Sequence, residues 1–333
     1  MPAIIKGIND RKTKVFVIRP CDDTDLSVYK DSRIEIKSGS KINIIALIKF
    51  MFFVLKDRDG IYHLLNTGPY YLLIVKLLGI KKVVYGIRGT IYWYTKFQEL
   101  LRKAIWKLAI SPKMIFTANS HYSSEVFTST VTKKVKPIIL YNPIDPEKFK
   151  LKKQPAEQKE IKIIYAGRLV KSKNLHKWIN AAVFLIENGV KAKFELYGAG
   201  PCAEELEELV RKAGQGDKIL LKGHVKQIEN VYKEADLLLF LSAFESFGNV
   251  AVESILCGTP VVTFDIPSMK EIFSDYPEVL IANDGDYRES ILNKVKNISE
   301  LKESAVKASA VFSQRFGYDK HIKSLNNIYA GLT

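Results

Sequence analysis

The chain has 333 residues, of which 47% are apolar and 26% charged, with a net charge of +15 at pH 7. This length suits two domains of ordinary size, and the composition is that of a soluble globular protein. The three cysteines, Cys21, Cys202 and Cys257, are widely spaced, which excludes a metal-type pair and an even disulfide set. We therefore expect a reducing, cytoplasmic compartment.

The positive charge is spread over both halves of the chain, with lysine clusters at 133–136 and 148–153 and around the apolar stretch 42–55. A nucleic-acid-binding protein would concentrate its charge on one face or carry a known module, so we predict no nucleic-acid partner. An anionic membrane surface contacted by the first domain explains the charge and the apolar stretch together. The alternative is an ordinary lysine-rich surface.

In the first half, short β-rich runs alternate with helical periodicity, which predicts a parallel sheet covered by helices. The predicted strands are 14–18, 61–65, 82–87, 114–118 and 138–141, and the predicted helices are 40–56, 69–78 and 97–110. The stretch 42–55 is shorter than the roughly 20 apolar residues that cross a bilayer. We predict a buried or interfacial helix there, and no signal peptide before it.

In the second half, four β-rich runs each end in a polar or glycine-rich turn. They predict strands at 161–166, 193–197, 218–221 and 237–241. Because the carboxyl ends of parallel strands meet at one edge of a sheet, we expect these turns to contact one ligand. After the first run come Gly167, Arg168 and Lys173, and the two cations can both reach a diphosphate.

The turns after the next two runs also point to a ligand. Gly198 and Gly200 would let the backbone approach it closely, although the pair lacks the third glycine of a dinucleotide-binding motif. Gly223, His224 and Val225 follow the third run, where backbone groups can meet a base.

The fourth run leads into a turn and a helix flanked by two glutamates, Glu245 and Glu253, with seven residues between them. A helix that begins near Asn249 presents amides and a positive dipole end, which suit a phosphate. The glutamates are better suited to hydroxyl groups, with Glu253 placed to accept hydrogen bonds from a ribose. The pattern predicts a nucleotide-sugar site, and the alternative is a loop carboxylate and a solvated helix residue.

These motifs, together with Gly258, Pro260, Val261 and Val262, resemble the retaining, glycogen-synthase-like GT-B glycosyltransferases of the group 1 family, most strongly from about residue 135 to 330. The resemblance implies two Rossmann-like domains that face each other across a cleft. It also implies that Arg168 and Lys173 bind the donor diphosphate, that Glu253 holds the ribose and that Glu245 contacts the donor sugar. No cofactor is expected, because the nucleotide diphosphate sugar is itself a substrate. No metal is expected either, because no His, Asp and Glu residues have metal-ligand spacing and the resembling family works without an Asp-x-Asp metal motif.

We predict an N-terminal domain over residues 1–147 and a donor-binding domain over 148–315, with a linker near 150–160. The resemblance implies that a last helix, 316–333, packs back on the first domain. Residues 3–10 resemble the end of the family's first helix. The prediction is therefore that the first strand and its glycine-rich loop are missing from this chain.

Many family members carry a histidine that faces the reacting sugar, where this chain has Arg88. Arginine cannot act as a base, but it can bind an anionic acceptor. The predicted site residues are Arg168, Lys173 and Glu245 for catalysis; Gly167, Gly198, Gly200, Gly223, His224, Val225, Phe247, Gly248, Asn249, Val250 and Glu253 for donor binding; and Arg88, Gly89 and His121 on the acceptor side.

The predicted function is transfer of a hexosyl unit, with retained configuration, to a hydroxyl of a saccharide, a lipid-linked saccharide or a surface polysaccharide. The sequence leaves open the donor base, the sugar and the acceptor. It also leaves open a non-catalytic nucleotide-sugar-binding subunit and an epimerase or phosphorylase on the same fold. The predicted location is cytoplasmic, with peripheral contact to the inner face of the cell membrane.

Overall fold

The computed structural model describes residues 15–17, 33–35, 44–89, 96–151, 160–283 and 285–332. The chain forms two compact units, Met1–Pro143 with Tyr318–Thr333, and Ile144–Gly317. The sequence-based boundaries lie a few residues away, after residue 147 and at residue 316. The predicted loss of a first strand concerns the start of the chain, and most of the predicted linker lies at 152–159; both are outside the described residues.

The first unit is an α/β unit with parallel strands, as predicted. Its elements are β1 Val15–Val17, β2 Arg33–Glu35, α1 Ile44–Leu55, β3 Tyr62–Leu65, α2 Pro69–Leu77, β4 Val83–Ile87, α3 Lys96–Ala109, β5 Ile115–Ala118, α4 His121–Thr130, β6 Ile138–Ile139 and the C-terminal helix α12 Tyr318–Ala330. Strands β1 and β2 pair with each other, and the main sheet has the order β3-β4-β5-β6.

The central strand β4 divides the core of the first unit between the two faces of its sheet. All five of its residues are buried, as expected for a parallel strand covered on both sides. Tyr85 and its alternate neighbours belong to one cluster with the buried sides of α1, α2 and α3. Val84 belongs to a second cluster with Leu325 and Ile328 of α12. Helices α1 to α3 therefore cover one face of the sheet and α12 the other.

Two elements of the first unit, β2 and α4, are absent from the sequence prediction. Helix α4 has a Ser- and Thr-rich sequence with few apolar residues, so its periodicity is weak. The helix is set instead by its cap, because Ser120 Oγ accepts a hydrogen bond from the Ser123 amide at 2.9 Å. Phe127, which is 2% exposed, fixes α4 to the core.

The second unit is likewise α/β, as predicted. Its elements are β7 Ile161–Ala166, α5 Leu175–Glu187, β8 Ala192–Tyr197, α6 Ala203–Lys212, β9 Ile219–Gly223, α7 Ile228–Glu234, β10 Leu237–Phe240, α8 Asn249–Leu256, β11 Val261–Phe264, α9 Pro267–Ile272, β12 Leu280–Ile281, α10 Tyr287–Lys296 and α11 Ile298–Phe316.

Six parallel strands in the order β9-β8-β7-β10-β11-β12 form the sheet of the second unit. Numbered within the unit, this is the order 3-2-1-4-5-6 of the Rossmann fold. The connections run in opposite directions from β7 and β10, so a crevice opens between the carboxyl ends of these two strands. Ligands of such sheets bind at this switch point.

None of the helices in the described part of the chain is long and apolar enough to cross a membrane. The predicted apolar helix forms as α1, with Ala46, Phe50 and Val54 buried against the core. Its other side, which includes Ile44 and Phe52, is exposed.

Candidate functional site

The loops that follow β7 and β10 meet at the switch point of the second unit. The ammonium of Lys173 is paired with the Glu245 carboxylate, and the two side chains are only 16% and 12% exposed. The Ala243 amide donates to the Ser172 carbonyl at 3.0 Å, which joins the two loops through their backbones as well. The structure thus brings together two of the predicted catalytic residues, which lie 72 residues apart in sequence.

Tyr165 lies beneath the β7 loop and was not predicted from sequence. It is fully buried, and its hydroxyl donates to the Arg168 carbonyl at 3.0 Å. Burial raises the pKa of Tyr165, the Glu245 carboxylate raises it further, and the Arg168 guanidinium opposes both. The hydroxyl therefore lies within electrostatic range of both predicted catalytic groups. Arg168 itself is exposed at the edge of the sheet.

The glycines after β7 and β8 are required by the backbone of the neighbouring loop. Gly198 has φ +143°, and a Cβ atom there would lie 1.8 Å from the carbonyl oxygen of Gly167. A Cβ on Gly200 would lie 2.3 Å from the Leu169 carbonyl oxygen. The sequence predicts these glycines for close approach of the backbone to a ligand. The structure shows that the backbone of the adjacent loop already leaves no room for a Cβ atom at either position.

The turn after β9 lies at the edge of the sheet. Gly223 has φ +68°, and a Cβ there would meet no heavy atom within 4 Å. The neighbouring His224 is exposed and Val225 is partly exposed. Gly223 ends β9 and the other two residues follow it, at the same carboxyl edge of the sheet as the other turns.

The turn before α8 is held by packing. Gly248 has φ +89°, and a Cβ there would lie 2.5 Å from the Met269 side chain. Phe247 is 1% exposed and packs edge-on against Phe316, with ring centroids 5.4 Å apart. The Phe247 side chain is therefore part of the core. Asn249 and Val250 form the first turn of α8, so the positive end of its dipole lies at the switch point.

Glu253 lies one turn into α8 and is held by a second tyrosine that was not predicted. Tyr232 is fully buried, and its hydroxyl donates to Glu253 Oε2 at 3.1 Å. Burial raises the pKa of Glu253 to about 7, while the Tyr232 hydrogen bond and the charge of Lys148 oppose the rise. Glu229 adds to it. Glu253 is thus a carboxylate whose charge state changes near neutral pH.

The first unit contains a separate polar cluster around Arg88. The guanidinium donates to the Asn142 side-chain oxygen. Burial lowers the pKa of Arg88 to about 10, so it remains a cation at neutral pH. Of the other predicted acceptor-side residues, Gly89 lies next to Asn66, and His121 is exposed at the start of α4.

The buried His321 and the partly buried His63 complete the cluster. His63 Nδ1 lies 2.8 Å from the Tyr329 hydroxyl, and His321 Nδ1 lies 2.8 Å from the Tyr141 carbonyl oxygen. Burial and the nearby charge of Arg88 lower the pKa of His63 to about 3 and that of His321 to about 4. Both are therefore neutral at pH 7. His321 and Tyr329 were missed as polar partners because they lie on the apolar side of α12.

Within the ranges that the structure covers, no group of three or more His, Cys, Asp or Glu side chains could hold a metal ion. The expectation of a reaction without metal stays a prediction.

Comparison with protein families gives a match to the model described as "Glycosyl transferases group 1" over residues 146–320. The matched range, 175 of 333 residues, is more than half of the chain. It contains both loops of the switch point and all of α8.

Two relatives illustrate the match. An uncharacterized glycosyltransferase of Methanocaldococcus jannaschii is 28% identical over 55% of this chain and 54% of its own length. The N-acetylgalactosamine-N,N'-diacetylbacillosaminyl-diphospho-undecaprenol 4-alpha-N-acetylgalactosaminyltransferase of Campylobacter jejuni is 27% identical over 73% of this chain and 70% of its own. The chain thus spans little more than half of the archaeal relative.

A solved structure agrees with the architecture. Anabaena HepE, in complex with UDP-glucose, superposes with a TM-score of 0.80 over 99% of this chain and 94% of its own, at 16% identity. At that identity the likeness concerns the fold, which is GT-B-like with two Rossmann-like domains.

Proposed function

The chain belongs to the group 1 glycosyl transferases, and from that membership we propose that it moves a hexosyl unit from a nucleotide diphosphate sugar to a hydroxyl acceptor with retention of configuration. The observation that carries the proposal is the Lys173–Glu245 pair at the switch point of the second sheet. A cation suited to phosphate and a carboxylate suited to sugar hydroxyls lie side by side there. This arrangement fits a donor in which a sugar is joined to a diphosphate.

In the proposed reaction, the bond between the anomeric carbon and the diphosphate oxygen breaks, and the acceptor oxygen bonds to the same face of the sugar. The acceptor's proton passes to the leaving diphosphate, so no protein base is needed. Arg168, Lys173 and the N-terminus of α8 stabilise the negative charge that develops on the diphosphate. Glu245 binds hydroxyls of the donor sugar, and Glu253 binds those of the ribose. The reaction is proposed to need no metal.

The acceptor is proposed to be a saccharide or a lipid-linked saccharide in the cytoplasm, at the inner face of the membrane. The name of the Campylobacter relative includes a diphospho-undecaprenol group, which supports a lipid-linked acceptor. HepE holds UDP-glucose, so uridine nucleotides are the first donors to test. Arg88, a partly buried cation at neutral pH, is proposed to face an anionic part of the acceptor.

The proposal is tested by incubating the purified chain with a panel of nucleotide diphosphate sugars, with and without saccharide and lipid-linked acceptors. Release of nucleoside diphosphate that depends on the acceptor, with an α-linked product from an α-linked donor by NMR, is the expected result. Donor stabilisation of the fold without turnover would favour a non-catalytic subunit. Conversion of the donor sugar without transfer would indicate an epimerase.

The pKa of Glu253 predicts a pH dependence of donor binding. With a pKa of about 7, the carboxylate is mostly ionised at pH 8 and mostly protonated at pH 5.5. A protonated Glu253 accepts ribose hydrogen bonds poorly, so donor affinity should fall by up to about thirtyfold between these pH values. Calorimetry with a nucleotide diphosphate sugar measures this, and Glu253→Gln should bind weakly with little pH dependence.

The stability of the free protein should change with pH in the same region. Folding raises the pKa of Glu253 from 4.5 to about 7, so the folded state holds this proton more tightly than the unfolded state. The contribution of Glu253 to the free energy of unfolding is therefore present below about pH 4.5 and is lost as pH rises through about 7. Equal pH profiles for the wild type and Glu253→Gln would contradict this assignment.

A further inference from the structure

The outward side of helices α1, α2 and α3 is unusually apolar. Of the thirteen large hydrophobic side chains exposed among the described residues, nine lie on these three helices. We call these nine the outer helical face: Ile44, Ile45, Ile48, Phe52, Leu55, Leu77, Leu100, Leu101 and Leu108. Soluble proteins rarely expose so large an apolar surface without a partner.

Helix α1 is apolar on both sides. Ala46, Phe50 and Val54 pack into the core. The exposed residues of α1 recur at helical spacing and fall within an arc of about 100° on the opposite side. Ile44 and Ile45 are 69% and 63% exposed. An isolated surface helix of a soluble domain would carry polar residues there.

Helices α2 and α3 continue the same surface. Helix α2 packs against both α1 and α3, and all three contribute to one core cluster on the same face of the sheet. Their outward sides therefore point away from that sheet together. The Lys76 ammonium donates to the Ile110 carbonyl at 2.9 Å and thereby ties α2 to the end of α3. Leu77 and Leu100 are 75% and 71% exposed.

The charged residues on these three helices are nearly all basic. The three helices carry six basic residues and one acidic residue, Glu99, and Glu99 is paired with Lys103 at 2.6 Å. Bringing two copies of such a face together would place like charges against each other, which opposes self-association. Apolar side chains surrounded by lysine and arginine suit the interface of an anionic bilayer.

We propose that the outer helical face docks on an anionic lipid bilayer, with the apolar side chains in the interfacial region and the basic residues at the lipid headgroups. With 12 residues, α1 is about 18 Å long, so it lies in the membrane plane instead of crossing it. The proposal goes beyond the donor chemistry and uses none of the residues that bind the donor.

The test is co-sedimentation of the full chain with vesicles of phosphatidylglycerol and phosphatidylcholine, or of phosphatidylcholine alone. Binding to the anionic vesicles is expected, weakening as salt rises from about 0.05 to 0.5 M because screening shortens the reach of the charges. Ile48→Asp/Phe52→Asp should lower the partition coefficient by about tenfold or more. Leu100→Asp/Leu108→Asp, which changes the same face on α3, should lower it as well.

The matched control is Val306→Asp/Val311→Asp, which also replaces two exposed apolar residues by aspartate, on α11 of the second unit. This control should bind vesicles like the wild type. All variants should keep the wild-type thermal midpoint within a few degrees and their stabilisation by nucleotide, so loss of vesicle binding is separable from failure of the donor proposal. The proposal would be overturned if the wild type did not bind vesicles or bound uncharged vesicles equally well. It would also be overturned if both face variants bound like the wild type. A dimer broken by the face variants, without vesicle binding, would assign the face to self-association.

Discussion

Replacing Lys173 by methionine is expected to lower kcat/KM for sugar transfer by about a hundredfold or more, the usual cost of removing one group that stabilises transition-state charge. The ammonium is 16% exposed and paired with the Glu245 carboxylate. Its removal takes away the positive charge proposed for the leaving diphosphate. It also leaves Glu245 largely buried without its cation, which costs stability.

The double variant Lys173→Met/Glu245→Gln separates these two effects. Neutralising Glu245 removes the unpaired charge, so the thermal midpoint should recover, whereas transfer should stay at or below the level of the single variant. Lys212→Met is the matched control, because Lys212 forms only an exposed pair with Glu208 at 3.5 Å, and such pairs contribute little. A single variant with wild-type kcat/KM would contradict the role of Lys173.

Gly198→Ala is expected to destabilise the second unit by about 4 kcal/mol or more, the range reserved for severe backbone conflicts. The residue has φ +143°, and a new Cβ atom would lie 1.8 Å from the Gly167 carbonyl oxygen. That oxygen belongs to the backbone of the β7 loop, so the conflict cannot be relieved by rotating a side chain. Chemical denaturation of the purified variant, or its absence from the soluble fraction, measures the effect.

Gly189→Ala is the control that measures the cost of placing a side chain in the left-handed region without a collision. Gly189 has φ +78°, and a Cβ there would meet nothing within 4 Å. Its substitution should cost only about 1–2 kcal/mol, the usual penalty of the left-handed region. The difference between the two variants measures the collision between loops. If Gly198→Ala costs no more than Gly189→Ala, the β7 and β8 loops do not pack as described.

The strand ends of the second unit could be predicted from sequence because each apolar β-rich run ends in a polar or glycine-rich turn. Lys173 and Glu245 could be assigned to the same sheet edge from sequence, whereas their pairing depends on the strand order, in which β7 and β10 are neighbours. Tyr165 and Tyr232 could not be predicted as site residues. Both lie in apolar surroundings, where an aromatic residue indicates core, and their hydroxyl partners are set by tertiary packing.

The first unit was less predictable for a different reason. Its polar contacts join residues that are far apart in sequence, such as Arg88 with Asn142, 54 positions away, and His63 with Tyr329, 266 positions away. No local pattern records such contacts. The sequence left open whether α1 is buried or interfacial, because a helix that is apolar on both sides resembles a buried helix; the packing shows which side is covered.

The most direct measurement of the central claim is calorimetric titration of a nucleoside diphosphate into the wild type, Arg168→Ala and Arg211→Ala. Arg168 is an exposed cation of the switch-point loop that follows β7, whereas Arg211 is paired with Glu208 on α6. The wild type and Arg211→Ala should bind one equivalent with equal affinity, and Arg168→Ala should bind at least about tenfold more weakly, the value of a charge-assisted contact to phosphate. Equal affinity for all three proteins, or no binding by the wild type, would contradict a diphosphate site at the junction of β7 and β10.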